Sequence, residues 1–203
     1  MRSASMPISS IRSTVTPERY DTVAITLHWL IALAMLAEIA LGWWMLDIPK
    51  LPAGVRASWF NLHKSIGLTL ALLIAFRLVW RLRHAPPPVP ATLTAWQVAA
   101  ARWAHGLMYV CMLVLPISGY IGSTFSGYPI KWFGLALPGW GWKDDAIKDA
   151  MSTLHYGVSW LLVALIAAHL AAALKHLLFD RDEVFARMLP RRPRPPVAPG
   201  QGA

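Results

Sequence analysis

The sequence predicts an all-α fold, an integral membrane four-helix bundle, and three observations carry that prediction. The 203 residues are 56% hydrophobic, with a mean hydropathy of +0.46. Only 14% are charged, against about a quarter in soluble domains. Four apolar runs, at about 23–46, 62–82, 98–121 and 153–178, reach the roughly 20 residues a helix needs to cross a bilayer. Histidines recur within these runs at matched depths.

The first span contains "ITLHWLIAL", with His28 near its start and Glu38 about 15 Å further along. A carboxyl at that depth is either neutral and hydrogen-bonded or part of a site, and the sequence leaves both open. The second span opens with "FNLHKSIGL", carrying His63 and Lys64, and holds Arg77 and Arg81 toward its far end. The connector "HAPPPVPA" after it is too proline-rich to be helix, and His84 within it is read as solvated. The third span carries His105, the lone Cys111 and Pro116, which is expected to kink it, with Gly119 a second weak point. One cysteine excludes an intramolecular disulfide or a cysteine-based cluster. The loop at 122–152 holds Trp132, Phe133, Trp140 and Trp142, aromatic content suited to a membrane surface, and is expected to cover the outer mouth of the bundle. The fourth span, "LHYGVSWLLVALIAAHLAAALKHLLF", contains His155, His169 and His176.

Residues 1–16 and 190–203 read as disordered tails, the second rich in Pro and Arg, which leaves 17–189 as the membrane domain. Residues 1–22 hold no apolar run of the kind a secretory signal has. The net charge of +9 is uneven: with the N-terminus inside, 13 Lys and Arg fall in inner segments and 6 in outer ones. The positive-inside rule then puts both termini in the cytoplasm of a multi-pass inner-membrane protein. The basicity is membrane topology, and no nucleic-acid partner is expected.

On this topology His28 and His169 lie toward the cytoplasmic face, and His63 and His155 toward the outer face. His155 and His169 are 14 residues apart, about 21 Å along one helix and within about 40° of one face. The depths pair His63 with His155 and His28 with His169. Two imidazoles from facing helices at each of two levels would clamp two haems, each iron held on both sides by a neutral nitrogen and left no vacant position for oxygen. Gly67, one turn from His63, and Ala172 and Ala173 after His169 would make room for the porphyrins. A single intramembrane histidine is as readily a packing residue as a ligand; four at two levels are not. Zinc would want a tighter cluster with carboxylates or cysteines. His105 lies at a depth similar to His28 and competes with it for the inner iron; it is ranked as a packing residue beside that pair.

The ordered set "RYDTVAITLHWLIAL", "NLHKSIGLTLALLIAFRLVWRL", "LPISGYIGS", "GYPIKWFGL" and the fourth span resembles the bacterial cytochrome b561 family, over residues 18 to 190. That resemblance implies a four-helix dihaem b cytochrome with one axial ligand from the first helix, one from the second and two from the fourth, which are His28, His63, His155 and His169 here. It implies electron transfer across the membrane: superoxide oxidised outside and ubiquinone reduced, a superoxide:quinone oxidoreductase. The alternative it implies is a cytochrome subunit or membrane anchor passing electrons between a partner redox enzyme and the quinone pool. A haem-free packing or transport protein is the reading from another class.

Candidate substrate contacts follow from position. Arg77, Arg81 and His176 would serve the inner haem's propionates or a quinone headgroup, or merely mark the cytoplasmic interface where basic side chains snorkel. Lys64, beside His63, would attract an anionic donor outside, although outer acidic residues leave that surface only slightly positive.

Overall fold

The computed structural model describes residues 19–50 and 54–190. Four long helices account for most of it: α1 (Thr22–Trp44), α2 (Val55–Arg83), α3 (Ala95–Thr124) and α4 (Asp145–Lys175). All four are long and apolar enough to cross a membrane. The predicted tails, 1–16 and all but Pro190 of 190–203, lie outside the described residues.

Each helix except α1 starts well before its apolar run, because its first turn is built from polar signals. Arg56 donates from Nη1 to the Ile48 carbonyl at 3.1 Å, and Ser58 Oγ to that of Gly54 at 3.0 Å, so α2 begins seven residues before the predicted span. α3 begins with a reciprocal capping box in which Thr94 and Gln97 satisfy each other's backbone N–H groups. Asp144 accepts from the Ile147 N–H at 3.1 Å and extends α4 outward from the predicted start at 153. α3 continues through Pro116. α4 ends in one π-helical turn, His176–Asp180, closed by Arg181 in the left-handed region at φ 50°.

α3 packs along α4, α1 along α2, and α2 along α3. α1 and α4 meet through ring contacts: Trp43 stacks on Trp160 at 5.2 Å, and His28 faces His169. Midway along the bundle, Ile31, Met35, Leu70, Ile74, Cys111, Leu115 and Leu162 form one buried apolar layer drawn from all four helices. The outward faces are apolar as well, with Leu33, Leu72 and Leu170 more than half exposed. In a soluble protein such surfaces would aggregate; against acyl chains they need no cover.

Between α3 and α4 a short hairpin, β1 (Lys131–Trp132) and β2 (Leu135–Ala136), turns at Phe133 and Gly134, both at positive φ. Such two-residue turns need that backbone region. The hairpin docks on α2: the Phe133 N–H donates to Ser65 Oγ at 2.9 Å, and the Trp132 indole to Thr69 Oγ1 at 3.2 Å. The aromatic loop thus lies against the same end of the bundle as His63.

Candidate functional site

At that end α2 presents His63 and α4 presents His155, with ring centroids 6.2 Å apart and planes at 76°. The two rings differ at Nδ1. The Leu115 carbonyl lies 2.9 Å from His155 Nδ1; a carbonyl can only accept, so the proton sits on Nδ1 and Nε2 keeps its lone pair. Ser118 Oγ flanks the same nitrogen at 3.2 Å. On the other ring, Glu38 Oε1 lies 2.9 Å from His63 Nδ1, off the line of the ring N–H. Glu38 is 6% exposed, and among the described residues neither its oxygens nor His63 Nδ1 has a well-directed hydrogen bond. Glycines let the backbones come close: a Cβ on Gly42 would stand 3.3 Å from His63 Cε1, and one on Gly119 would stand 3.3 Å from His155 Cε1 and Nδ1.

At the other end three imidazoles converge. His28 of α1 and His169 of α4 have centroids 6.3 Å apart at 76°, and His105 of α3 lies 5.2 Å from His169 at 66°. None of these three rings has a protein hydrogen bond among the described residues. Arg77 lies at the same level and ties three helices together, donating from Nη1 to the Ala24 carbonyl at 2.7 Å and from Nε to the Tyr109 hydroxyl at 3.1 Å. Arg81 lies over the Tyr109 ring, 5.8 Å from its centroid.

These spacings can be tested against an iron centre. An imidazole nitrogen bonds a first-row metal at about 2.0 Å, and the ring centre lies about 1.1 Å behind it, so two imidazoles on opposite sides of one metal have centroids about 6 Å apart. The 6.2 Å and 6.3 Å pairs fit. The 5.2 Å approach of His105 to His169 is too short for opposite sides of one ion, which favours His28 over His105 as the partner of His169. Imidazole pairs at this spacing within a largely apolar bundle fit a haem at each level, with glycines backing the rings at the His63–His155 level.

The two levels repeat along each helix at an interval of 14 residues: His28 and Gly42, His63 and Arg77, His105 and Gly119, His155 and His169. The glycines were findable from that interval, since each stands 14 residues after a histidine on its own helix. Ser118 had no such signal. Gly67 makes room for Glu38 rather than for a ring: its Cβ would stand 3.3 Å from Oε1. Ala172 is exposed and Ala173 half-buried.

The suggested substrate contacts do not gather in one place. Lys64 is half-buried on α2 and has no ion pair among the described residues. Arg77 and Arg81 line a crevice of about 40 Å³ with Tyr20, Asp21 and Trp80. A larger groove of about 550 Å³ opens along α1, lined by Thr22, Thr26, Trp29, Leu33 and Pro190. His176 borders neither; its Nδ1 lies 2.6 Å from Asp182 Oδ2 and 3.2 Å from Asp180 Oδ2.

The family model for prokaryotic cytochrome b561 matches residues 19–191. The chain is 35% identical over 182 residues to cytochrome b561 homolog 2 of Escherichia coli K12, covering 87% of this chain and 94% of that one. Cytochrome b561 homolog 1 of the same organism is 28% identical over 178 residues, covering 86% and 98%. A probable superoxide oxidase, CybB, of Yersinia pestis is 24% identical over 176 residues, also covering 86% and 98%.

Proposed function

The chain belongs to the prokaryotic cytochrome b561 family, a family of membrane electron-transfer proteins with b-type haem, and from that premise we propose that it carries electrons between two haems, oxidising superoxide at the outer face and reducing ubiquinone. The observation that carries this reading is the pair of imidazole pairs at 6.2 Å and 6.3 Å, on opposite sides of a buried apolar layer. His63 with His155 would hold the outer haem, and His28 with His169 the inner one. Both termini lie in the cytoplasm, and residues 17–189 are the membrane domain between two tails. The relative named as a probable superoxide oxidase supports superoxide as the donor.

When bound, haem would supply reversible one-electron exchange, with His63, His155, His28 and His169 the residues that would hold it. The rest is done by the chain. Two superoxide ions each lose one electron and leave as oxygen; ubiquinone takes up the two electrons and two protons and leaves as ubiquinol. Lys64 and Lys131 put positive charge near the outer pair, where an anion must arrive. Arg77 and Arg81 are cations at the inner level suited to the haem's carboxylates or a quinone carbonyl. The Asp182 carboxylate can only accept, so His176 keeps a proton on Nδ1 at the cytoplasmic surface, within reach of the water that supplies protons.

The test is a purified preparation of this chain alone, given a superoxide source and a soluble quinone analogue. Reduction of a b-type band with quinol formation well above the uncatalysed rate is expected. Reaction only with a co-purifying protein would favour the cytochrome-subunit reading, and a preparation with no reducible b-type band would overturn both.

A further inference from the structure

Among the described residues Glu38 is the only acidic residue buried in the interior of the bundle, and the helices around it are shaped to receive it. α1 carries it one turn before Gly42, so the same face of α1 puts an acid and a bare backbone against the His63 ring: Oε1 lies 2.9 Å from Nδ1, and the absent Gly42 Cβ would stand 3.3 Å from Cε1. α2 answers with Gly67, one turn from His63, whose missing Cβ leaves the space that Oε1 occupies. His63 supplies the one cation-capable atom within ion-pair distance of Glu38 among the described residues. A carboxyl in such a place is held there by a partner or it is strongly unfavourable.

We propose that Glu38 is a positioning residue for the outer haem: its carboxylate, 2.9 Å from His63 Nδ1, steers that ring by charge and supplies the counter-charge for the oxidised centre. This rests on the proposed ligand set. A porphyrin dianion with ferric iron and two neutral imidazoles carries one net positive charge, which is lost on reduction. A fixed negative charge beside one ligand therefore favours the oxidised form and makes that ligand more basic. His155, at the same level, receives only the neutral Leu115 carbonyl and Ser118 hydroxyl. The three inner rings receive no protein acceptor among the described residues. The asymmetry lowers the outer haem's potential relative to what the same pair of imidazoles would have alone.

The experiment is a redox titration of the purified holoprotein, followed by absorption and by electron paramagnetic resonance, for wild type, Glu38→Gln and Glu38→Asp. Glu38→Gln keeps the shape and removes the charge. It should raise the midpoint of one haem, the one that His63→Ala removes, by at least about 59 mV, a tenfold change in the ferric-to-ferrous ratio. The other midpoint should stay in place, and Glu38→Asp, with charge but shorter reach, should fall between. Selective loss of that same haem in Glu38→Gln would equally support the positioning role. Two unchanged midpoints, or a shift confined to the inner haem, would overturn it. If His63→Ala removes no haem from the wild-type complement, the ligand assignment fails instead, and the two failures are told apart.

Discussion

The His63–His155 and His28–His169 levels use nearly the same pair spacing and differ in everything around it. At the first, two rings stand 6.2 Å apart; His155 Nδ1 is held by a carbonyl and a hydroxyl, and His63 Nδ1 lies 2.9 Å from a buried carboxyl. At the second, the matching pair stands 6.3 Å apart, a third imidazole crowds His169 at 5.2 Å, and no protein acceptor reaches any of the three among the described residues. At the first level hydrogen bonds orient His155 and a buried carboxyl faces His63; the second is held by packing and by Arg77, which binds α1, α2 and α3 together. Axial spacing comes from backbone geometry alone, whereas ring orientation must be supplied locally, and the two levels supply it differently.

The contrast breaks most visibly where a ligand is removed. His63→Ala should take the outer haem with it and leave about half of the haem per chain, because no other imidazole is near. His28→Ala should retain more, since His105 already touches His169 and can shift toward the vacated side. His105→Ala should leave both haems bound. Haem-to-protein ratios of the three purified variants check this; equal losses in the first two would erase the distinction. A smaller effect is expected from Gly119→Ala, whose Cβ would press on His155 at 3.3 Å. Crowding of that kind costs about 1–3 kcal/mol, seen as lower thermal stability together with altered resonance of the outer haem only. Ser118→Ala should do least. The Leu115 carbonyl still takes the His155 proton, so a loss of about 1 kcal/mol is the scale for one neutral hydrogen bond, with the outer midpoint moving far less than in Glu38→Gln.

Much of this was legible in the chain. Hydropathy located four helices, and the 14-residue interval between His155 and His169 placed two levels on one face. The helix ends were not visible to hydropathy, because first turns built on Arg56, Thr94 and Asp144 are polar; "TAWQ" did carry a capping-box signal. For Glu38 the sequence offers a neutral, hydrogen-bonded carboxyl or a part in the outer haem site and does not choose between them. The partner of Glu38 sits on another helix, and periodicity along one helix says nothing about how two are rotated against each other. The same reason hid Ser118, which reaches His155 only because α3 packs along α4. The π turn that ends α4 brings His176 Nδ1 to Asp182, a partner that spacing along the helix does not reveal.

Between the two levels lies the buried layer of Ile31, Met35, Leu70, Ile74, Cys111, Leu115 and Leu162, six apolar side chains and one thiol. Such a layer is a poor relay for protons, so in the proposed reaction an electron that passes it inward travels unaccompanied. In the proposed orientation each turnover would therefore work with respect to the membrane voltage, at about 2.3 kcal/mol per charge for every 100 mV. The proposed reaction is then electrogenic: its rate in sealed vesicles should answer to the electrical gradient, and in leaky ones it should not.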